Sequence, residues 1–340
     1  MWFNQKKSTE QNNPQTLLDE LASNGIELTI DELIRYQTKS SLINLAASKS
    51  SHGKMSGNYL ARSKGRGMEF DEVRQYQNGD DIRAIDWRVT ARTGKTHTKL
   101  FREEVERPVL IATDLSTSML FGSRLLFKSV QASHVASLVA WHAKSRGDRI
   151  GGVVFNQHEH TELKPRSRQQ GVLHYLHALV KCHADSIHIA SEALDRAQAK
   201  LAFEQNCARL RHLAKPGSLV YLITDAFSLC EEAVRHLANI SRHCELVVCL
   251  ISDPLEQRLP DSEQKISVTI TNGDDTNGNN ERQQFILGDK ALAEKYHQQA
   301  MSLNDTIEQQ LTKAGARLLH FCASETLEIQ LQRGVASWIR

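Results

Sequence analysis

The chain has 340 residues, with 42 Lys and Arg against 40 Asp and Glu, a formal net charge of +2 and 40% hydrophobic residues. That length admits one large domain with extensions, or two ordinary ones, around a sizeable core; the near balance of charge excludes a bulk electrostatic pull toward nucleic acid. The six cysteines (182, 207, 230, 244, 249 and 322) form no C-x-x-C pair, the N-terminus lacks an apolar leader, and no apolar run is long enough to cross a bilayer, so the expectation is a reduced, cytoplasmic protein that is not membrane-embedded.

Residues 1–16 are polar and are expected to fray. Thr29-Ile-Asp-Glu32 reads as a capping box, in which a hydroxyl and a carboxylate satisfy free N–H groups at a helix start. A helix is predicted to follow with Ile30, Leu33, Ile34 and Leu42 on its apolar face, making residues 1–47 a helical extension. Residues 48–67 are rich in Ser, Gly, Lys and Arg, as connectors are. Their basic run, Lys49, Lys54, Arg62, Lys64 and Arg66, has few aromatics interleaved and reads as a solvated linker rather than a phosphate-binding surface.

From Met68 to Glu106 charges of both signs (Arg74, Asp80, Asp81, Arg83, Asp86, Arg88, Arg92) alternate with Phe70, Tyr76, Ile85 and Trp87. This block reads as a hairpin with a short helical turn, docked through Trp87 and Tyr76 by ion pairs. Residues 48–106 are thus expected to form a linker and charged block packed on a main domain over 107–340. Gly94-Lys95-Thr96 resembles part of a phosphate loop, but the glycine five positions before Gly94 is replaced by Val89 and no apolar strand precedes it, so it reads as a turn.

After Arg107, strands are predicted near 108–114, 149–156, 218–224, 245–252 and 316–322. Helices are predicted near 124–146, 170–182, 191–213, 228–241, 290–314 and 325–338. Such alternation argues for an α/β fold with a doubly wound, mostly parallel sheet covered by helices on both faces. Residues 254–288 interrupt it; their run Thr271-Asn-Gly-Asp-Asp-Thr-Asn-Gly-Asn-Asn280 is turn chemistry and reads as a hairpin tip or loop.

The most informative stretch is Asp114-Leu-Ser116-Thr-Ser118, at the end of the apolar run Val109–Thr113. One carboxylate and two hydroxyls at alternate positions suit a hard cation such as Mg²⁺, with Ca²⁺ or Mn²⁺ also admitted, yet the same residues suit capping of the next helix. Asp225 closes a second apolar run, Leu219–Thr224, and two parallel strands ending side by side would bring it opposite the first loop. Two other histidine pairs, His158 with His160 and His174 with His177, lack a third ligand and read as solvated surface.

Asp114-x-Ser-x-Ser with Thr224-Asp225 resembles the metal-ion-dependent adhesion site (MIDAS) of von Willebrand factor A domains. Gly67-Met-Glu69, Glu72-x-Arg74-x-Tyr76, Gly79-Asp-Asp-Ile-Arg83-x-Ile-Asp86-Trp87, Val89-Thr-Ala-Arg92, Lys99-Leu-Phe, Glu104 and Asp253-Pro-Leu-Glu256 resemble, over roughly residues 50 to 340, the bacterial domain-of-unknown-function family 58. That resemblance implies a von Willebrand factor A fold. It also implies partnership with a MoxR-type AAA+ ATPase and other von Willebrand factor A-domain proteins in maturing or assembling protein complexes. The signature residues Arg74, Tyr76, Asp80, Arg83, Asp86, Trp87 and Arg92 would then brace the domain or meet a partner. The adhesion-site pattern also has a Thr between the two Asp strands; no Gly-Thr stands there, and Ser167 is the nearest hydroxyl. Arg166 or Arg168 could instead reach in and neutralise Asp114 and Asp225.

The expectation is a non-enzymatic interaction module. Its rival is a Mg²⁺-dependent hydrolase using the same carboxylates, which needs a general base that the sequence does not supply. A Gly-x-Ser-x-Gly elbow is missing, and Ser116 occupies the place where aspartyl-phosphate enzymes carry a second Asp.

Overall fold

The computed structural model describes residues 14–42, 68–103, 107–189, 196–260, 266–271, 282–287 and 289–333. It divides into two compact units, Met1–Leu45 with Arg107–Arg340, and Ala46–Glu106.

In the larger unit the chain opens with helices α1 (Pro14–Leu21) and α2 (Ile30–Ile34). Helix α1 overlaps the stretch expected to fray; Leu21 is buried, and Leu17 and Leu18 pack against the core. The capping box forms as read from the sequence: Glu32 N donates to Thr29 Oγ1 and Thr29 N donates to the Glu32 carboxylate. The helix is shorter than predicted, giving way to 3₁₀ turns at Arg35–Gln37 and Ser40–Leu42, and Leu42 is exposed rather than on an apolar face. Tertiary hydrogen bonds explain the early stop. Leu33 O accepts from Ser137 Oγ (2.7 Å) and Trp141 Nε1 (3.2 Å), and Ser40 O bonds to His142 Nδ1 (3.0 Å), so carbonyls that would extend the helix are taken by a neighbouring one.

The smaller unit is a hairpin of β1 (Met68–Gln75) and β2 (His97–Glu103), antiparallel, with a 3₁₀ turn at Ile82–Ala84 and helix α3 (Trp87–Thr93) between the strands. Asp86 caps α3 by accepting from Arg88 N and Val89 N, and Gly94 ends it in the left-handed region that glycine favours. The hairpin with a helical turn is therefore as predicted, and Gly94-Lys95-Thr96 is a turn. Trp87 in this unit is 68% exposed, and Tyr76 is half-buried. Within the unit, ion pairs join Arg74 to Asp80 (2.7 Å) and Lys99 to Asp86 (3.6 Å).

The rest of the larger unit is β3 (Pro108–Asp114), α4 (Lys128–Ser145), β4 (Arg149–Phe155), β5 (His160–Arg166), α5 (Arg168–Ile189), α6 (Arg196–Leu213), β6 (Leu219–Thr224), α7 (Glu231–Ser241), β7 (Glu245–Ser252), α8 (Pro254–Gln257), β8 (Ile266–Thr271), β9 (Arg282–Leu287), α9 (Lys290–Lys313), β10 (Arg317–Cys322) and α10 (Leu327–Gln332). Six strands form one sheet in the order β10-β7-β6-β3-β4-β5, parallel except for β5, which runs antiparallel to β4. Successive strand residues point to opposite faces, so Val109, Ile111, Tyr221 and Ile223 meet one helical layer while Leu110, Ala112, Val220 and Leu222 meet the other. Every residue of β6 is buried, as a strand covered on both faces requires.

The doubly wound α/β sheet with helices on both faces is as predicted. Strand β5 was not: its polar sequence reads as surface because it is an edge strand with one half-buried face. The interruption holds a hairpin, β8 with β9; its tip, like the 48–67 linker, its basic run and the end of the 325–338 helix, lies outside the described residues. Gly152 faces Ile111 so closely that a Cβ there would sit 1.9 Å from Ile111 O, and its φ of +149° suits glycine.

Candidate functional site

Strands β3 and β6 are adjacent and parallel, with Thr113 opposite Ile223. Asp114 and Thr224-Asp225 consequently emerge together at the carboxyl edge of the sheet, the edge where open α/β sheets place their ligands. The chain after β3 turns through a 3₁₀ segment, Thr117–Met119, and Ser116 stands at its N-terminal cap without capping it by side chain. This segment is tied down by the β4–β5 turn: Thr117 N donates to Gln157 Oε1 (3.1 Å), and Gln157 Nε2 donates to Thr117 Oγ1.

Asp114 is buried, and both its oxygens are engaged. Oδ1 accepts from Ser116 N (3.0 Å) and Ser116 Oγ, and Oδ2 accepts from Thr224 Oγ1 (2.8 Å). Burial first, and the charge of Asp225 second, raise its pKa to about 6. Ser118 Oγ is buried and has no hydrogen-bond partner among the described residues. A buried hydroxyl left without a partner costs free energy.

Asp225 is held differently. Its Oδ1 accepts from Phe227 N (3.1 Å) and its Oδ2 accepts from Lys128 Nζ (2.8 Å). Ala226 between them adopts a φ of +60°, a strained conformation for a residue with a Cβ, and donates its N–H to Thr224 Oγ1. Lys128 is wholly buried, pairs also with Glu256 Oε1 (2.5 Å), and lies 4.7 Å from the centre of the Phe227 ring. Burial works against its charge, but the two carboxylates prevail and hold its pKa above the ordinary lysine value. Glu256 is itself fixed by a capping box with Asp253, whose other oxygen accepts from Ser123 N (2.9 Å). Burial, its largest influence, raises the Glu256 carboxyl.

The structure thus brings together Asp114, Ser116 and Asp225, with Ser118 two residues further along the same loop, inside the 3₁₀ segment. It does not bring Ser167 to them. Arg166 pairs with Ile150 at the start of β4, whereas Asp114 lies level with Phe155 at its end, so Ser167 is at the opposite edge of the sheet. Arg166 and Arg168 are excluded from neutralising the aspartates for the same reason. The cation at the site is Lys128, missed because a single lysine at a helix start looks like solvated surface. Its signal was position: it opens the 18-residue helix α4, buried on nearly every side.

A divalent cation is what the resemblance implies, and the donor set suits one. Asp114, Ser116 and Ser118 offer hard oxygen donors from one loop, and Ser118 Oγ makes no hydrogen bond among the described residues. No cluster of three or more His, Cys, Asp or Glu side chains able to hold a metal occurs among the described residues, so hydroxyls and water would make up the balance. The other candidates, Arg74, Tyr76, Asp80, Arg83, Asp86, Trp87 and Arg92, all belong to the smaller unit. Asp86 and Asp80 serve local structure there, Tyr76 is half-buried, and Arg83 and Arg92 are exposed. The His158, His160, His174 and His177 side chains are exposed and form no metal cluster. No helix among the described residues is long and apolar enough to cross a membrane.

Residues 72–301 match the family model described as "Protein of unknown function DUF58". Uncharacterized protein Rv1480 of Mycobacterium tuberculosis and Uncharacterized protein Mb1516 of Mycobacterium bovis are each 26% identical over 219 residues; the match covers 64% of this chain and 66% of the relative's length. Among solved structures, the conserved hypothetical protein BatB from Bacteroides thetaiotaomicron aligns at 15% identity and a TM-score of 0.40, over 68% of this chain and 98% of that one. A von Willebrand factor type A protein from Catenulispora acidiphila aligns at 14% identity and a TM-score of 0.30, over 46% of this chain and 35% of that one.

Proposed function

Because the chain belongs to the DUF58 family, whose description assigns no function, the site has to carry the reading, and we propose that this protein is a non-enzymatic, cytoplasmic interaction module that recognises a partner protein through a divalent cation. Asp114, Ser116 and Ser118 would hold the ion, with Mg²⁺ the first choice and Ca²⁺ or Mn²⁺ able to substitute. The ion would supply a Lewis-acidic point of attachment for an acidic side chain of the partner. The chain's own residues do the rest: Thr224 holds Asp114 in place, and Gln157 fixes the loop. The observation that carries this reading is the buried Asp114 carboxylate, held by the Ser116 and Thr224 hydroxyls, at the head of a loop whose Ser118 hydroxyl has no hydrogen-bond partner among the described residues.

The partner we propose is a MoxR-type AAA+ ATPase, acting with other von Willebrand factor A-domain proteins in maturation of protein complexes; the support is the family resemblance of the signature block. Isothermal titration of Mg²⁺ into the wild type and Asp114→Ala is the first test. Heat from the wild type alone supports the reading, and equal heats remove it. A pull-down of the ATPase with and without EDTA tests the partner, with capture lost in EDTA expected. Phosphatase and esterase assays with Mg²⁺ or Mn²⁺ address the hydrolase alternative. Inertness is expected, since the Asp225 and Glu256 carboxylates are both paired with Lys128.

A further inference from the structure

Two carboxylates stand at the ends of adjacent strands, and the fold treats them differently. Asp114 is faced by the hydroxyls of Ser116 and Thr224, groups that can turn a lone pair toward an incoming cation while still bonding the carboxylate. Asp225 is faced by an ammonium, which donates only and repels another cation. Its remaining oxygen is taken by the Phe227 N–H, which the left-handed Ala226 brings back over the carboxylate.

The lysine is not loosely placed. Its side chain is 0% exposed, against 2% for Asp225 and 19% for Glu256. Glu256 grips it from the far side and is locked by the Asp253 capping box, which a second loop secures through Ser123 N. Phe227 covers the ammonium with its ring face while remaining 40% exposed. A charge this deeply buried is stable only with such partners, so the arrangement is a built one.

We propose that Lys128 is a resident counter-cation that sets the ion affinity of the site: by holding Asp225 it withholds the second carboxylate, so that a divalent ion rests on Asp114, Ser116 and Ser118 alone and is held firmly only when an acidic side chain of the partner completes its shell. This rests on the reading of the loop as an ion site and adds what governs that site. Ion and partner then bind cooperatively, each raising the affinity of the other by the same factor. Lys128 is a positioning residue here, acting through Asp225.

Mg²⁺ titration calorimetry on the full chain, with thermal unfolding of each variant with and without 10-fold excess ion, tests the proposal. Removing the ammonium in Lys128→Met should free Asp225 and tighten Mg²⁺ binding by about tenfold, since affinity follows the count of charged ligands. It should also enlarge the Mg²⁺-induced rise in Tm relative to wild type. Lys128→Arg should restore wild-type affinity. Asp225→Asn, which keeps an acceptor for the lysine, should leave wild-type Mg²⁺ affinity within about threefold while abolishing the gain in Lys128→Met. If Asp225→Asn weakens binding as severely as Asp114→Ala, Asp225 is already a ligand and the proposal fails; this arm holds even where Lys128→Met does not fold. A folded Lys128→Met that binds no more tightly than wild type also overturns it. Failure of the ion-site reading looks different: no heat from the wild type, from Asp114→Ala or from Lys128→Met.

Discussion

Single residues decide the chemistry of this molecule, and Ser118 is the sharpest case. Its hydroxyl is buried without a partner among the described residues, so Ser118→Ala removes an uncompensated polar group. Without ions the variant should unfold at the wild-type Tm or slightly above it; with Mg²⁺ it should lose the ion-induced rise that the wild type shows. A fall in Tm without ions would mean that the hydroxyl has a structural partner. His183 gives the pH dependence. It is buried against Ser129 Oγ (3.0 Å), and burial lowers its pKa from 6.5 to about 4. A base with a depressed folded pKa contributes stability that is complete above the unfolded value and is lost as pH falls through the folded one. Stability should therefore decline between about pH 6.5 and pH 4, by roughly 3 kcal/mol from this group. Urea titrations of His183→Gln should show a flatter profile over that window; an unchanged slope would assign the acid sensitivity to other groups.

Elements make the second layer of the argument. The Thr29 capping box starts the short helix that seats Glu32, Leu33 and Tyr36 against α4. Glu32 reaches His134 Nε2 there at 2.5 Å, with both side chains buried. Thr29→Ala should cost about 1 kcal/mol in chemical denaturation, the usual value of a lost N-cap. The strand pair β3–β4 is less forgiving. A methyl group at Gly152 would collide with the Ile111 carbonyl in the sheet centre, so Gly152→Ala should lower stability by several kcal/mol or prevent soluble expression. A Tm within two degrees of wild type would show that β4 can move away from β3.

At the scale of the whole molecule, the chain's order in sequence and its division in space differ. Residues 14–42 belong with the sheet, while the unit over Ala46–Glu106 interrupts them. Within the larger unit, Ser40 O bonds to His142 near the end of α4, and Arg107 N donates to Asp148 Oδ1 (3.1 Å) just beyond that helix. Replacing residues 46–106 with a flexible linker should therefore leave one cooperative unfolding transition and intact Mg²⁺ binding, by calorimetry. Deleting residues 1–42 should instead destabilise the sheet domain strongly, because it uncovers Ser137, Trp141 and His134, all now buried.

Most of the sheet was legible because its central strands are buried on both faces and so appear as unbroken apolar runs between helical periodicities. Five strands and the order of their helices follow from that pattern, as does the capping box, whose chemistry is local. The meeting of Asp114 with Asp225 was legible too, as a consequence of parallel strands ending at a common edge. Tertiary structure alone decided the rest. Edge strand β5 carries few apolar residues because one side of it faces solvent, and its antiparallel direction sends Ser167 to the far edge. Lys128 becomes part of the site only because α4 starts where β6 and α8 end, and no periodicity in a sequence encodes which distant carboxylate a buried ammonium will meet. Local patterns specify which groups can be buried; the free energy of burying a charge depends on partners that only the assembled fold supplies.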